Sequence, residues 1–335
     1  MGDGLCLKSL SMICLLAFAI LIFHCFNSAM ASGFNKVGVI GIGLMGGGIA
    51  QVAATQGFDT VVVDLAPEIL EKGMERIEES LQRLVESHKK SAGKIGIAPA
   101  ERGKILSRLK ASAERKELLD RDILIEAIVE NEAAKKEMIA SLAELGYRKL
   151  LVSNTSSISI TVLAGAYTYP EKFMGMHFMN PVPVQPGCEL IRGLLTSDET
   201  WERVSDFCRE LGKEPISAED KAGFGINRMF VPFLVEAVKV VEEGIMSCED
   251  ADKTTLCLGH KMGPITTLDY VGLDTTLAIA GVLERNLGPN YKAPDLLCKL
   301  VAAGFYGIKN GKGFYLWDKG KKVGVNPAVE RYRRR

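Results

Sequence analysis

The sequence predicts an α/β protein with a doubly wound, mainly parallel sheet and a helical hairpin insertion, followed by an all-α C-terminal domain. Three observations support this. A short apolar run at 36–41 leads into a Gly-rich turn, a small-residue helix and a second apolar run at 60–64, which together form a βαβ unit. Further β-rich apolar runs recur to about residue 217. Beyond about residue 222, the apolar residues recur only at helical spacing.

The first two thirds of the chain alternate between predicted strands and helices. Strands are predicted at 36–41, 60–64, 122–128, 149–153, 173–178, 189–191 and 213–217, and a helix at 132–145. Pro67 begins a long charged helix, and a second helix ends near residue 109. Because this segment is long for a plain crossover, it is predicted to be a helical hairpin that stands off the sheet.

The C-terminal part has a different pattern. Helices are predicted at 227–243, 248–258, 268–287 and 294–303. We therefore divide the chain into a hydrophobic leader at 1–31, a Rossmann-type domain at 32–219 with the hairpin at about 67–109, and an all-helical domain at 220–335.

Composition restricts the classes of function. The 335 residues include 41 Lys and Arg against 41 Asp and Glu, so global charge gives no reason to expect a nucleic-acid partner. The eight cysteines contain no CxxC pair, and no metal site is predicted. The five cysteines beyond the leader show no disulfide framework, which favours a reducing compartment.

The leader contains an almost unbroken apolar run at 10–26, preceded by Lys8 and followed by the small-x-small sequence of residues 29–31. Taken literally, this is a secretory signal or a membrane anchor, and it lacks the Arg-rich character of a mitochondrial transit peptide. The alternative is that translation starts at Met30, which leads directly into the first strand. A membrane association is expected only if the leader exists and is not cleaved.

A dinucleotide site is predicted at the first strand–helix turn. A GxGxxG motif alone is weak, but here it follows a strand and opens a helix. Gly41 permits the tight turn, Gly43 lets the backbone approach a pyrophosphate, and Gly46 allows close helix–strand packing. Asp64 ends the second strand, where its carboxylate would accept hydrogen bonds from a ribose and repel a 2′-phosphate. This pattern predicts NAD rather than NADP.

Four polar residues further along form a candidate catalytic group. His177 lies in an apolar strand, and the Pro-rich connection after it can return Glu189 to its side. A carboxylate on one imidazole nitrogen would raise the basicity of the other. Ser156 follows a strand end, as Asn180 does, and Asn227 precedes a helix. The alternatives are a core histidine at position 177 and helix N-caps at Ser156 and Asn227.

At this point the chain resembles the short-chain, NAD-dependent L-3-hydroxyacyl-CoA dehydrogenases, including the bacterial-type 3-hydroxybutyryl-CoA dehydrogenases. The resemblance extends from residue 36 to about residue 317. It rests on the stretches VIGIGLMGGGIAQVAA, EAIVENEAAKKE, SNTSSISIT, GMHFMNPVPV, GFGINRMFVPFLVEA, MGPITTLDYVGLD and KNGKGFY.

The resemblance implies a role for each matching residue. His177 would be the general base, Glu189 would orient it, and Ser156 and Asn227 would hold the substrate oxygen. The implied NAD contacts are Gly41, Ile42, Gly43, Leu44, Met45, Gly46, Asp64, Glu130, Lys135, Ser156, Asn180 and Lys309. The implied contacts with the acyl-CoA substrate are Ser80 and Ser156. The resemblance also implies that the C-terminal domain serves substrate binding and forms a homodimer. It further implies a mitochondrial matrix or cytoplasmic location and a place in fatty-acid β-oxidation or related metabolism.

Two departures keep other interpretations open. The residues before Glu189 are Gln-Pro-Gly-Cys at 185–188 instead of a Met-Lys-Leu-Val type of stretch, and Ser87 replaces a lysine expected near CoA. One alternative is a 3-hydroxyacid dehydrogenase for a free small acid, a class that relies on a catalytic lysine. The other is a non-catalytic, NAD-binding protein tethered to a membrane.

Overall fold

The structure is a computed structural model that describes residues 31–333, so nearly all of the predicted leader lies outside the described part. An eight-stranded sheet forms its centre, in the order β3-β2-β1-β4-β5-β6-β7-β8. The strands are β1 Lys36–Ile40, β2 Asp59–Val63, β3 Leu109–Ser112, β4 Ile123–Glu126, β5 Leu150–Ser153, β6 Phe173–Phe178, β7 Gly187–Arg192 and β8 Glu214–Glu219.

All neighbouring strands in this sheet are parallel except the pair β6 and β7. Parallel strands need crossovers, and the helices that provide them cover both faces of the sheet. These helices are α1 Leu44–Thr55, α2 Pro67–Lys90, α3 Pro99–Ser107, α4 Glu132–Glu144, α5 Ile160–Ala164 and α6 Asp198–Glu210. The doubly wound α/β class predicted from the sequence is confirmed.

The central strand β1 pairs with β2 on one side and with β4 on the other. The chain therefore reverses its direction of winding at β1. In open α/β sheets, ligands bind outside the carboxyl ends of the strands at such a reversal. All but the first residue of β1 are buried, which holds the Gly-rich turn that follows it on a rigid support.

The hairpin formed by α2 and α3 stands off the sheet only in its outer part, because its base packs against the core. Leu70, Ile77 and Leu81 of α2 and Ile105 of α3 are buried in the same core as β1 and α1. Gly73 makes this packing possible, because a Cβ at that position would lie 2.5 Å from the side chain of Ile42. The base of the hairpin is thus part of the core, whereas residues 86–104 include no buried residue.

The C-terminal part is helical, as predicted, with two elements that were not predicted, a last helix at 327–333 and a two-stranded hairpin. Its helices are α7 Ile226–Glu242, α8 Cys248–Cys257, α9 Pro264–Val271, α10 Leu273–Leu287, α11 Asp295–Ala302 and α12 Pro327–Arg333. The predicted single helix at 268–287 is divided at Gly272, whose φ of 103° ends α9. A two-stranded antiparallel hairpin, β9 Tyr315–Asp318 and β10 Lys321–Val325, was not predicted. None of the described helices has the length and apolar character needed to cross a bilayer.

Candidate functional site

The Gly-rich turn after β1 is shaped by three glycines with different tasks. Gly41 has a φ of +97°, and a Cβ there would lie 2.7 Å from the carbonyl oxygen of Ala127. A Cβ on Gly46 would lie 1.8 Å from the carbonyl oxygen of Gly41, so only glycine lets α1 begin this close to β1. A Cβ on Gly43 would meet nothing within 4 Å, which leaves the backbone there open to a ligand.

Asp64, directly after β2, is locked onto this turn. Its Oδ2 accepts the Ile42 N–H at 2.7 Å, and its Oδ1 accepts the Leu65 N–H at 2.7 Å. Both oxygens are therefore oriented by the backbone, and the carboxylate faces the space beyond the strand ends. This is the position at which a Rossmann-type site presents an acceptor to a ribose hydroxyl.

A cavity of about 930 Å³ lies at the carboxyl ends of these strands. It has the size of a site for a large organic ligand. Of the predicted site residues, it is lined by Gly41, Gly43, Leu44, Met45, Asp64, Glu130 and Ser156. The cavity thus brings together the Gly-rich turn after β1, the acceptor after β2 and the polar turn after β5.

Glu130 organises the turn that carries Ser156. Its Oε1 accepts the Ser156 N–H at 2.7 Å, the Ser157 N–H at 3.1 Å and the Thr155 hydroxyl at 2.7 Å. A carboxylate that accepts several converging donors has its orientation fixed by them. The backbone of Ser156 is therefore held against the edge of the cavity.

His177 and Glu189 face each other across the antiparallel pair β6 and β7. The His177 Nδ1 and the Glu189 Oε2 are 2.8 Å apart, and both side chains are buried. The second oxygen of Glu189 accepts the N–H groups of Gly225 at 2.9 Å and Ile226 at 2.7 Å, at the start of α7. Because an ionised carboxylate only accepts, Nδ1 carries the proton in this pairing and Nε2 is the nitrogen that can accept one.

The turn that delivers these two amides has an unusual backbone. Gly223 and Phe224 have φ values of +77° and +49°. Left-handed φ is uncommon for a residue with a Cβ and is often found at functional sites. It lets the Phe224 ring pack beside His177, with ring centroids 6.1 Å apart, while the next two amides reach Glu189.

Asn227 and Ser156 are also brought together. The Asn227 Nδ2 donates to the Ser156 carbonyl oxygen at 2.9 Å, which connects α7 to the turn after β5. The N-cap alternatives do not hold, because the N-cap residue of α7 is Gly225, which has no side chain to cap it, and the N-cap residue of α5 is Ser159. The Ser156 residue is thus fixed at its N–H by Glu130 and at its carbonyl by Asn227.

Comparison with known proteins identifies the family. Residues 36–221 match the "3-hydroxyacyl-CoA dehydrogenase, NAD binding domain", and residues 223–317 match the "3-hydroxyacyl-CoA dehydrogenase, C-terminal domain". The chain belongs to the 3-hydroxyacyl-CoA dehydrogenase family. It is therefore an NAD-dependent oxidoreductase, and the resemblance identified from its sequence motifs is confirmed.

Individual relatives agree with this assignment over most of their length. A probable 3-hydroxybutyryl-CoA dehydrogenase from Deinococcus radiodurans is 46% identical over 283 residues, which cover 84% of this chain and 99% of the relative. The human mitochondrial hydroxyacyl-coenzyme A dehydrogenase is 43% identical, with 84% and 90% covered. The crystal structure of (S)-3-hydroxybutyryl-CoA dehydrogenase from Ralstonia eutropha superposes with a TM-score of 0.79 at 39% identity, covering 85% of this chain and all of that one.

NAD, the cofactor of this family, fits the residues present. The three glycines form a backbone cradle, and the space above Gly43 is open. Asp64 presents a carboxylate to the cavity, which also reaches Ser156. Within residues 31–333, no group of three or more His, Cys, Asp or Glu side chains is arranged to hold a metal ion.

Several predicted residues of this dehydrogenase lie outside the cavity lining. Ile42 and Gly46 are buried behind the Gly-rich turn, and Ser80 is half-buried on α2. Lys135 is only 1% exposed and is paired with Glu126, while the exposed Lys309 is paired with Asp274 at 2.8 Å. Asn180 is exposed just after β6, where it precedes a cis peptide bond to Pro181. Their roles stay predictions.

The structure also adds residues that the sequence analysis missed. Arg115 is the one basic side chain among the described residues that line the cavity, and it donates to the Ser141 hydroxyl at 3.1 Å. Asn154 lines the cavity and accepts the Phe178 N–H at 2.9 Å, which aligns β6 with the end of β5. The position of Asn154 directly after a predicted strand was a signal that could have found it.

Proposed function

We propose that this enzyme catalyses the reversible oxidation of (S)-3-hydroxyacyl-CoA to 3-ketoacyl-CoA with NAD, and that His177 is its general base. The contact between the His177 Nδ1 and the Glu189 Oε2 carries this proposal. A buried imidazole held by a carboxylate at one nitrogen is suited to exchange a proton with an alcohol. His177 does not line the cavity, but the next residue of β6, Phe178, donates its N–H to the cavity-lining Asn154. The curated relatives named as 3-hydroxybutyryl-CoA or hydroxyacyl-CoA dehydrogenases support this substrate class.

Glu189 fixes the orientation and the tautomer of the His177 imidazole. One carboxylate oxygen receives two backbone N–H groups from α7, so the carboxylate cannot rotate away from the imidazole. The other oxygen accepts the proton-bearing Nδ1, which leaves Nε2 to take the proton of the 3-hydroxyl group. In the reverse direction, the same Nε2 returns a proton to the reduced carbonyl oxygen, and Glu189 stabilises the charged imidazolium in between.

Ser156 and Asn227 act on the substrate oxygen. Hydrogen-bond donors directed at an oxygen on which charge develops lower the barrier more than they would in water. The Ser156 hydroxyl and the Asn227 amide are the candidate donors, and their two residues are already connected at 2.9 Å. NAD, when bound, supplies the acceptor for the hydride that leaves C3 of the substrate.

The cofactor is held by backbone more than by side chains. The N–H groups at the start of α1, from Gly43 to Gly46, would bind the pyrophosphate, with Leu44 and Met45 at the cavity wall. Asp64 would bind the ribose. The remaining contacts in this proposal are Glu130, Lys135, Asn180 and Lys309.

The CoA portion and the assembly complete the proposal. The α2–α3 hairpin would contact CoA through Ser80, and two copies of the chain would associate through the helices that follow residue 220. The reaction would belong to fatty-acid β-oxidation or related metabolism. The domains would be those predicted, with the boundary near residue 220.

The unusual residues at 185–188 are compatible with catalysis. Gly187 and Cys188 are regular members of β7 and pair in register with Glu214 and Pro215 of β8. The Lys213 Nζ donates to the carbonyl oxygens of Val182 and Gln185, at 2.6 and 2.7 Å, and so ties down the connection before β7. The departure therefore leaves Glu189 in its place, which argues against the non-catalytic alternative.

One assay tests the proposal against both alternatives. Oxidation of NADH is followed with acetoacetyl-CoA and, separately, with free acetoacetate, for the unmodified enzyme and for His177→Gln. We expect turnover with the CoA thioester that is lost in the variant. Turnover with the free acid that survives His177→Gln would favour the hydroxyacid alternative, and NADH binding without turnover would favour the non-catalytic one.

A further inference from the structure

A fully buried ion pair lies behind the Ser156 turn. Neither member takes part in the proton transfer proposed above, although Lys135 is one of the proposed NAD contacts. Glu126 ends β4 and is 0% exposed, while Lys135 on α4 is 1% exposed. The Lys135 Nζ and the Glu126 Oε1 are 2.6 Å apart. Removing two charges from water costs several kcal/mol, about as much as their attraction returns, so stability alone is a weak reason for such a pair.

Every polar atom of the pair has further partners. Glu126 also accepts the Ile128 N–H at 2.8 Å and the Ser153 hydroxyl. Lys135 reaches a second carboxylate, since its Nζ is 3.4 Å from the Glu130 Oε2. The ammonium group therefore lies between a buried carboxylate behind the site and the carboxylate that lines the cavity.

Glu130 connects Lys135 to the backbone of Ser156. Lys135 holds one of its oxygens, and the other accepts the Ser156 N–H at 2.7 Å and two donors from Ser157. Asn227 then holds the Ser156 carbonyl at 2.9 Å. An unbroken series of contacts thus runs from the interior of the sheet to the backbone of a proposed substrate-binding residue.

We propose that Glu126 and Lys135 are positioning residues, which set the place of Ser156 through Glu130. The proposal rests on the function proposed above, in which Ser156 holds the substrate oxygen. Without the ammonium group, Glu130 would lose the partner that fixes one of its oxygens, and its charge would be uncompensated in a cavity that Asp64 and Glu137 also line. Displacements of the order of 1 Å at a reacting group can cost about 100-fold in rate.

A positioning role can be separated from a structural one. A buried ion pair can often be replaced by two apolar side chains of similar volume with little loss of stability, whereas removal of one partner is strongly destabilising. The test variant is therefore the double substitution Glu126→Leu with Lys135→Met. Lys136→Met is the matched control, because Lys136 is the next residue of α4 and pairs with Glu132 on the surface.

We expect the double variant to unfold in urea near the midpoint of the unmodified enzyme. Because Lys135 is also a proposed NAD contact, the affinity for NADH is measured separately by NADH fluorescence, and kcat is measured at saturating NADH. The kcat of the double variant with acetoacetyl-CoA should fall by about 10- to 100-fold, with a smaller change in KM, because the transition state is misaligned. The Lys136→Met control should keep its kcat. Lys135→Met alone is the second variant. It leaves Glu126 two hydrogen-bond donors but one unpaired buried charge, so it should be less stable than the double variant, and the kcat of its folded fraction should fall by the same factor.

A Ser156→Ala background gives the sharpest measurement. If the pair acts through Ser156, the double substitution should cost little more there, because the two effects are coupled. A full kcat in the double variant, or the same fold-loss with and without Ser156, would overturn the positioning role alone. No turnover in the unmodified enzyme would overturn the proposed function and this role together.

Discussion

Two buried carboxylates, one in each half of the molecule, have nearly the same hydrogen bonds and different chemistry. Glu189 on β7 and Asp269 on α9 are both 0% exposed. Glu189 accepts two backbone amides and faces the His177 ring. Asp269 accepts the backbone N–H groups of Phe314 and Tyr315, and its third donor is an indole, Trp317 Nε1, at 2.8 Å.

The third partner makes the difference. An indole N–H donates and has no further proton to exchange near neutral pH, so Asp269 can only hold the segment that enters β9. The packing there is tight, since a Cβ on Gly313 would lie 2.0 Å from the Asp269 carboxylate. An imidazole both donates and accepts. Burial and hydrogen bonds alone therefore do not identify a catalytic carboxylate, whereas the chemistry of its partner does.

The largest expected effect is on catalysis. Glu189→Gln keeps an oxygen for the two amides of α7 but turns an N–H donor toward the imidazole, which favours the wrong tautomer of His177. We expect kcat/KM with acetoacetyl-CoA to fall by about 10²- to 10⁴-fold. Steady-state kinetics measure this, with unfolding in urea as a check on the fold. A loss below tenfold in a folded variant would contradict the distinction between the two carboxylates.

The corresponding change at Asp269 should act on stability. Asp269→Ala leaves three buried N–H groups without an acceptor, and we expect a loss of about 3–4 kcal/mol in the free energy of unfolding. The kcat of the folded fraction should change little. Asp198→Asn is the control, because Asp198 is an exposed partner of Arg192 and such pairs contribute less than about 1 kcal/mol. A stable but inactive Asp269→Ala variant would break the comparison.

The sequence predicted the candidate active site around Glu189 but not the hydrogen bonds of Asp269. The Gly-rich turn and Asp64 were predictable because their geometry follows from a local pattern of strand, turn and helix. The pairing of His177 with Glu189 was predictable because a Pro-rich connection limits how the next strand can return. Asp269 lies within a helical pattern, and its donors are more than 40 residues away, so no local signal marks it.

Other features were missed for similar physical reasons. β3 has four residues and none of them is buried, so it shows no apolar pattern. The burial of Lys135, on α4, depends on its pairing with Glu126 at the end of β4. In the sequence, Glu126 is only one acidic residue after an apolar run. Charged residues are buried only with partners, and partners brought together by the fold cannot be found from single positions.

A pH titration should sharpen the comparison further. Burial raises the pKa of Asp269 to about 6, against the opposing hydrogen bond from Trp317. Between the ordinary value of 3.8 and about 6, the folded chain therefore holds a proton that the unfolded chain has released. The resulting stabilisation is full below pH 3.8 and is lost as the pH rises through 6.

Unfolding in urea from pH 4 to pH 8 measures this loss. Asp269→Asn has no ionisable group at the site and serves as the reference. The free energy of unfolding of the unmodified enzyme, relative to this variant, should decrease by about 2–3 kcal/mol as the pH rises from 4 to 7 and then remain level. A difference that stays constant with pH would refute the raised pKa.

The smallest effect on stability is expected at an exposed carboxylate, Asp120, which extends the comparison from the core to the surface. A hydrogen bond from Arg121, with a further one from Lys36, lowers the pKa of Asp120 to about 2. Stability from this group is therefore present above pH 3.8 and is lost as the pH falls through about 2, opposite in sign to Asp269. Because the Asp120 side chain is 53% exposed, solvent screens most of the interaction.

Asp120→Asn should lower the free energy of unfolding, measured in urea, by about 0.5 kcal/mol at pH 7 in low salt and by less in 1 M salt. A loss above about 2 kcal/mol that does not depend on salt would contradict this expectation. It would mean that the charged partners of a carboxylate, and not its burial, determine how much it contributes to stability.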